Sequence, residues 1–368
     1  LGETLHIERV HVGFGNIHMY NVSFTVPGQY ITTTIKDLRV GYNFMNLLVR
    51  GFHPQLISQD VLLVEPEITI GPQALSRADS VQHNNVSKTA PRFLSAQLKE
   101  LDLLNYISLK RGRVMFQQND STAVTLTHSV QGGIFRQSGD SLFINLIGSF
   151  LESQESNMTI SGNADLNAGR LTRLDARLTH YDAENGVPFL NKDIVDLRRG
   201  VFQGNFHVFQ NRDRRTFRLT GEGFLQQGEA ELFAGQLNVE QLNAALTLSQ
   251  DSLRIQSSDM LLNNSPVTVS GTIQNIKNPD VDVRLVSDDL ALTSFSKTLG
   301  PSLQDRFRGK AVVRTHVTGP VHNLSLVNNV WVKRLFIDDF QVQNVQSAFT
   351  YRQGRFYIRE ANAEILDV

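Results

Sequence analysis

Along most of the chain, apolar residues recur at every second position. Val10, Val12 and Phe14 form one run, and Val22, Phe24 and Val26 the next. Farther on, Val267, Val269 and Ile273 (with Gly271 between) precede Val281, Val283 and Leu285. A period of two puts alternate side chains on opposite faces of a strand, one face apolar and one polar. Turn signals separate the runs: Pro27-Gly28, Gly132-Gly133, Asn278-Pro279 and Gly319-Pro320. Strands that follow strands predict a mostly antiparallel sheet. Three stretches leave the period and predict short helices near 42–50, 93–104 and 290–299. The second has Phe93, Leu94, Leu98 and Leu101 at helical spacing behind Pro91, and the third ends at Gly300-Pro301. Residues 71–92, including Gln82-His83-Asn84-Asn85, hold too few apolar side chains to offset the cost of ordering them, and predict a disordered polar loop or lid.

The pattern also repeats. Leu237, Val239, Leu242, Leu246, Leu248, Leu253, Ile255, Met260 and Leu262 superpose without a gap on Phe340, Val342, Val345, Phe349, Tyr351, Phe356, Ile358, Ala363 and Ile365, at a constant offset of 103. Both copies change between even and odd positions at the same places, which marks a structural repeat. An upstream block fits in part: Leu98, Leu103, Ile107, Leu109, Gly112, Val114 and Phe116. Its Lys110-Arg111-Gly112-Arg113 falls where Arg352-Gln353-Gly354-Arg355 lies, so both predict hairpin turns. The expected organisation is an N-terminal β unit over 1–70, the loop at 71–92 and repeated sheet modules over 93–368.

Candidate chemistry adds little. Gly139-Asp140-Ser141-Leu142 spells a serine-esterase signature, but no Asp-x-x-His follows it. Gln250-Asp251-Ser252-Leu253 repeats the theme at the turn of the repeat, so Ser141 is expected beside a hairpin turn and exposed. No Gly-x-Ser-x-Gly elbow, Walker loop or dinucleotide fingerprint occurs. His6, His11 and His18, and His316 and His322 across the Gly319-Pro320 turn, lack metal-ligand spacing. Asp288-Asp289 and Asp338-Asp339 read as turn or helix-start residues. The chain is therefore expected to be no enzyme and to need no cofactor or metal.

Composition narrows the class. With 35 Lys+Arg against 36 Asp+Glu and no basic block, nucleic acid is excluded as the expected partner. Cysteine is absent, which removes disulfides and thiol chemistry. Apolar residues make up 40% of the chain, yet no run is long enough to cross a bilayer, and no signal peptide is expected in it. Because it starts at Leu1, the sequence is expected to be a piece of a longer chain.

Arg284-Leu-Val-Ser-Asp-Asp-Leu-Ala-Leu, a short helix, then Phe307-Arg-Gly-Lys-Ala-Val-Val through Gly319-Pro320 make a cadence that Asp196-Leu-Arg-Arg-Gly-Val-Phe-Gln-Gly echoes. Leu5-His-Ile-Glu-Arg-Val, Ile35-Lys-Asp-Leu-Arg-Val, Asn46-Leu-Leu and Val64-Glu-Pro-Glu-Ile complete it near the N-terminus. The whole resembles the AsmA-like superfamily of the TamB/AsmA type, bridge-like lipid transfer proteins of the diderm envelope. The resemblance rests on spacing, and the family's N-terminal membrane helix is missing here. It implies an elongated, curled antiparallel β-sheet with an apolar groove, in the periplasm. It also implies anchorage to the inner membrane through the missing helix, phospholipid as cargo and an outer-membrane protein as a further partner.

The residues support a groove on their own terms. One apolar face per strand needs a cover, either a second sheet or acyl chains, and each buried methylene contributes about 0.8 kcal/mol. The groove candidates are Leu237, Val239, Leu242, Leu246, Leu248, Leu253 and Ile255 with Phe340, Val342, Val345, Phe349, Tyr351, Phe356 and Ile358. Two other classes compete. One is a structural β-scaffold or assembly factor for outer-membrane proteins with a closed core. The other is a secreted carbohydrate-active β-solenoid, against which stand the long repeat and the single tryptophan, Trp331.

Overall fold

In the computed structural model of the chain, the described residues are 4–26, 31–43, 49, 58–71, 106–119, 122–137, 141–166, 170–185, 192–193, 195–210, 217–275, 279–294, 306–353 and 355–365. Strands make up most of them. The first nine are β1 (Thr4–Gly13), β2 (Asn16–Val26), β3 (Ile31–Tyr42), β4 (Ser58–Ile70), β5 (Tyr106–Asn119), β6 (Thr122–Gln137), β7 (Ser141–Phe150), β8 (Met158–Asp165) and β9 (Arg170–Asp182). Then follow β10 (Val195–Gln210), β11 (Phe217–Leu232), β12 (Leu237–Ser249), β13 (Ser252–Leu262), β14 (Ser265–Gln274) and β15 (Asp280–Ala291). The last are β16 (Phe307–Pro320), β17 (Ser325–Ile337), β18 (Phe340–Arg352) and β19 (Arg355–Ile365). All belong to one 19-stranded sheet. The mainly β, antiparallel fold expected from the period of two is the fold observed. Two compact units emerge: residues 1–181 with 206–218, and 182–205 with 219–368.

In the first unit, each of β1 to β8 pairs with the next strand. These ladders are antiparallel except β4–β5, which is parallel. A parallel neighbour needs a long connection, and 35 residues separate Ile70 from Tyr106. Left-handed residues interrupt four of the strands: Asn21, Glu65, Arg111 and Ser129, with φ of 50, 50, 56 and 55°. Each switches the phase of the alternation. Ile107 and Leu109 precede Arg111, and Gly112 and Val114 follow it. The kink keeps both halves of the strand presenting apolar side chains to one face. Where β7 turns toward β8, the packing is closed. The Asn157 side chain accepts from the Phe150 amide at 2.8 Å and donates to the His180 carbonyl, while Phe150 meets Tyr181 edge-on at 5.3 Å. Leu151, Met158, Leu178 and Tyr181 are buried there.

The second unit carries the repeat, and it is a repeat of structure. In β12–β13 the pairs Val239↔Leu262, Thr247↔Arg254, Leu248↔Leu253 and Ser249↔Ser252 form the ladder. In β18–β19 the corresponding pairs, each offset by 103, are Val342↔Ile365, Thr350↔Tyr357, Tyr351↔Phe356 and Arg352↔Arg355. The register slips at equivalent places, Glu240/Asn243 and Ala245/Leu246 against Gln343/Gln346 and Ala348/Phe349. Left-handed residues coincide as well: Gln241 with Asn344, and Gln250 with Gln353. The phase switches seen in the sequence are these kinks and bulges. Even a side-chain bond recurs, from Gln256 to the Thr247 hydroxyl at 2.6 Å and from Arg359 to the Thr350 hydroxyl at 3.3 Å.

Several expected turns are strand interiors instead. Gly132-Gly133 lies within β6, and Lys110-Arg111-Gly112-Arg113 lies within β5, so the upstream block carries no hairpin at that point. At Gly132 φ is +137°, and a Cβ would stand 2.2 Å from the Asn145 carbonyl oxygen. The Tyr106 ring fills the space beside Gly133. Kinks and turns draw on the same left-handed residues, which is why the sequence did not separate them. Asp288-Asp289 sits in β15 at a bulge, and Asp338-Asp339 does form the turn between β17 and β18. The helix expected at 290–299 is corrected over its first half: Leu290 and Ala291 end β15 and 292–294 make a single 3-10 turn. The register slip between Ser287 and Leu290 breaks the alternation there and imitates helical spacing. Residues 295–299, most of 42–50, and the calls at 93–104, at 72–92 and at Pro27-Gly28 lie outside the described residues.

Candidate functional site

The ladders of the second unit align the apolar residues into rows that cross the strands. One row runs Leu246, Ile255, Gly271, Val283, Val317, Leu326, Tyr351 and Phe356 through β12 to β19. A second runs Leu248, Leu253, Ile273 and Val281 through β12 to β15. A third joins Val269, Leu285, Thr315, Asn328, Phe349 and Ile358 through β14 to β19. Directly paired residues in adjacent strands share a face. The pairing therefore puts Leu246, Leu248, Leu253 and Ile255 of one repeat on the same apolar face as Phe349, Tyr351, Phe356 and Ile358 of the other. The remaining candidates follow through the kinks. Val239 pairs with Leu262, and Leu242 sits opposite Gly228 beyond Gln241. Val342 lies between Leu335 and Ile365, Val345 pairs with Val332 beyond Asn344, Leu237 pairs with Leu232, and Phe340 with Ile337.

Burial is graded along this face. At β14–β15, Val267, Val269 and Val283 are buried, with Ile255, Met260, Leu262, Val281 and Leu285 packed against them. Most of the groove candidates are half-buried, with Val239 buried outright. At the far end Phe340, Phe356 and Ile358 are 78, 67 and 69% exposed. The Phe356 ring contacts those of Tyr351 and Phe349, at 4.8 and 5.9 Å between centroids. Among the described residues there is no second sheet, and no helix is long and apolar enough to cross a membrane.

The polar atoms on the face are satisfied locally. The Thr315 hydroxyl donates to the Asn328 side-chain carbonyl at 2.7 Å, and the Ser287 hydroxyl to the Pro266 carbonyl at 2.7 Å. The Ser265 hydroxyl oxygen accepts from the Ala291 amide at 3.0 Å. An unpaired buried polar group costs about 1–3 kcal/mol, and these bonds avoid that cost. Sequence reasoning passed over Ser265, Ser287 and Asn328. Their signal was a polar residue at an apolar phase position. The opposite face carries exposed ion pairs, Arg314–Asp288 and Lys310–Asp289, and the His316–Asp282 contact. Each contributes at most about 1 kcal/mol.

The serine and histidine motifs of the sequence lie elsewhere in the described strands and turns. Ser141 opens β7, exposed, paired with Gln137 across the hairpin, and Ser252 likewise opens β13. Among the described residues no group of three His, Asp or Glu side chains is placed to hold a metal ion. His316 meets Asp282 at 2.7 Å, and His322 lies in the 3-10 turn Val321–Asn323. His11 pairs across the ladder with His18, whose Nδ1 lies 3.5 Å from Asp37, and Asp37 also holds Arg39. No family model matches the chain, and neither a curated protein nor a solved structure shows significant similarity to it.

Proposed function

We propose that the apolar face of β12–β19 is a lipid-binding groove, and that the chain is a non-enzymatic envelope protein that binds and conducts phospholipid between inner and outer membranes. The observation that carries this reading is one continuous apolar face, crossing eight strands of a chain whose described strands form a single sheet. Strands lie about 4.8 Å apart, so eight of them extend this face over roughly 34 Å. A bilayer's hydrocarbon core is about 30 Å thick, so a single acyl chain, from one leaflet, is about half that length. Binding needs no bond-making, in keeping with a site built of aliphatic and aromatic side chains. The spacing resemblance to AsmA-like proteins adds the setting: periplasm, an inner-membrane anchor and an outer-membrane protein at the distal end. The closed packing of Val267, Val269 and Val283 favours a second reading, a dry β-scaffold or assembly factor.

The test is to purify the protein, extract it and identify any bound lipid by mass spectrometry, then repeat with Phe356→Asp and Leu246→Asp. The groove reading expects phospholipid in the parent protein and several-fold less in both variants, with the β signal in circular dichroism retained at least for Phe356→Asp. No lipid in the parent protein, before and after incubation with phosphatidylethanolamine vesicles, would favour the scaffold.

A further inference from the structure

The kinks of the first unit line up. Asn21 lies between the pairs Tyr20↔Asp37 and Val22↔Ile35, which sets it beside Lys36. Lys36 lies likewise beside Glu65, and in the parallel ladder Glu65 falls beside Arg111 and Glu67 beside Arg113. Left-handed backbone at Asn21, Glu65, Arg111 and Ser129 creases the polar face along this line. The crease holds a cleft of about 590 Å³ lined from β2 to β6. That volume lies within the usual range for small ligands, roughly 300–1,000 Å³.

The charges of the cleft are uneven. Lys36 and Arg111 converge on the single carboxylate of Glu65, at 2.7 and 2.8 Å. The hydrogen bond from Lys36, opposed by burial and helped by the charges of Lys36 and Arg111, holds Glu65 below the usual carboxylate range. Glu65 thus stays ionised and positions both cations. Arg113 stands apart: its nearest carboxylate oxygen, on Glu67, is 3.8 Å away, an ion-pair distance beyond hydrogen-bond reach. Three exposed cations face two carboxylates, and Ser23, Thr34, His128 and Ser129 complete the wall with Val22, Ile35 and Pro66. A planar guanidinium that lacks a hydrogen-bonded partner, in a cleft with surplus positive charge, suits a phosphate-type oxyanion.

We propose that this cleft binds a phosphate-bearing anion through Arg113, with Lys36 and Arg111 held by Glu65 as flanking cations. The site is on the polar face of the first unit and does not depend on the apolar face of the second. In it Glu67 competes with the ligand for Arg113.

That competition gives the test a signature that a purely structural ion-pair cluster lacks. Binding of inorganic phosphate and of pyrophosphate is measured by calorimetry on the whole chain at low salt. The proposal expects saturable binding, weakened at least tenfold in Arg113→Ala, tightened several-fold in Glu67→Gln and unchanged in Arg306→Ala, an exposed cation of the other unit. Arg113→Gln serves if the alanine variant fails to fold. A second arm uses phosphatidylcholine vesicles with and without phosphatidic acid. Arg113-dependent binding to the phosphatidic acid vesicles identifies the source as a lipid headgroup, and binding of the free anions alone identifies a soluble phosphate. Absence of saturable binding in every arm overturns the proposal, and so does an equal loss in Arg113→Ala and Arg306→Ala.

Discussion

The two copies of the repeat have one register and different surroundings. β12–β13 and β18–β19 share their pairs, bulges and left-handed residues at an offset of 103. Yet Leu253 and Ile255 are half-buried, while their counterparts Phe356 and Ile358 are 67 and 69% exposed. β13 is paired on both sides within its unit, by β12 and β14, and Ile255 packs against Val267, Val269 and Val283. In the same unit β19 pairs with β18 alone among the described ladders. The local pattern of a hairpin therefore decides its register and which face is apolar. The neighbouring strand decides how far that face leaves water.

The comparison breaks hardest at the bulge. Inserting one residue after Ser257, with the bulge at Gln256 left in place, shifts every later residue of β13 to the opposite face and takes Met260 and Leu262 off the apolar side. Losing two such contacts costs about 4 kcal/mol. The equivalent insertion after Glu360 in β19 moves residues 361–364, which are exposed, and costs about 1 kcal/mol or less. Urea titrations of the two insertions measure the gap. A smaller gap comes from Ile255→Asp against Ile358→Asp. Burying a carboxylate among Val267, Val269 and Val283 destabilises by about 3 kcal/mol, while the exposed position loses under about 1 kcal/mol. Equal costs would show that the two copies are covered alike in solution.

Smaller effects sharpen the likeness. Gln241 and Asn344 adopt φ of 53 and 51°, a region glycine enters without steric cost. Gln241→Gly is expected to stabilise by up to about 1 kcal/mol. Asn344→Gly should gain less, because the Asn344 side chain donates to Glu364 at 2.7 Å. The smallest effect is in acid. At the turn before β18, the hydrogen bond from Arg306, opposed by partial burial and helped by the Arg306 and Arg308 charges, holds Asp338 below its ordinary value. A depressed carboxylate stabilises above its unfolded pKa, about 3.9. That contribution is lost as pH falls through the lower folded value. Thermal melts between pH 6 and 2.5 should show a slightly shallower acid decline for Asp338→Asn than for the parent.

Much of this was legible in the sequence because alternation and its phase switches are direct consequences of strand geometry. The groove candidates fall on one face because each switch at Gln241 and Asn344 was counted as a switch. The crease of the first unit was harder to read. Lys110-Arg111-Gly112-Arg113 has the composition of a turn, yet it runs straight through β5 with one left-handed residue. The parallel pairing of β4 with β5 leaves no local signal, since its partners are separated by a long intervening segment. One trace of it is charge at a period of two, Glu65 and Glu67 facing Arg111 and Arg113. Pro66, whose ring lies against Gly112, adds a second, for a proline inside a sheet requires a kink or an edge.

The central claim is that the apolar face of β12–β19 holds acyl chains, and Val345 and Gln346 test it side by side. Val345 pairs with Val332 on the apolar face, and Gln346 pairs with Trp331 and Asn362 on the other, where it is exposed. A photo-crosslinking amino acid is placed at 345 or at 346, the protein is incubated with phospholipid vesicles and irradiated, and adducts are identified by mass spectrometry. The account predicts lipid adducts at 345 and none at 346. Equal labelling at both positions, or lipid at neither, would contradict it.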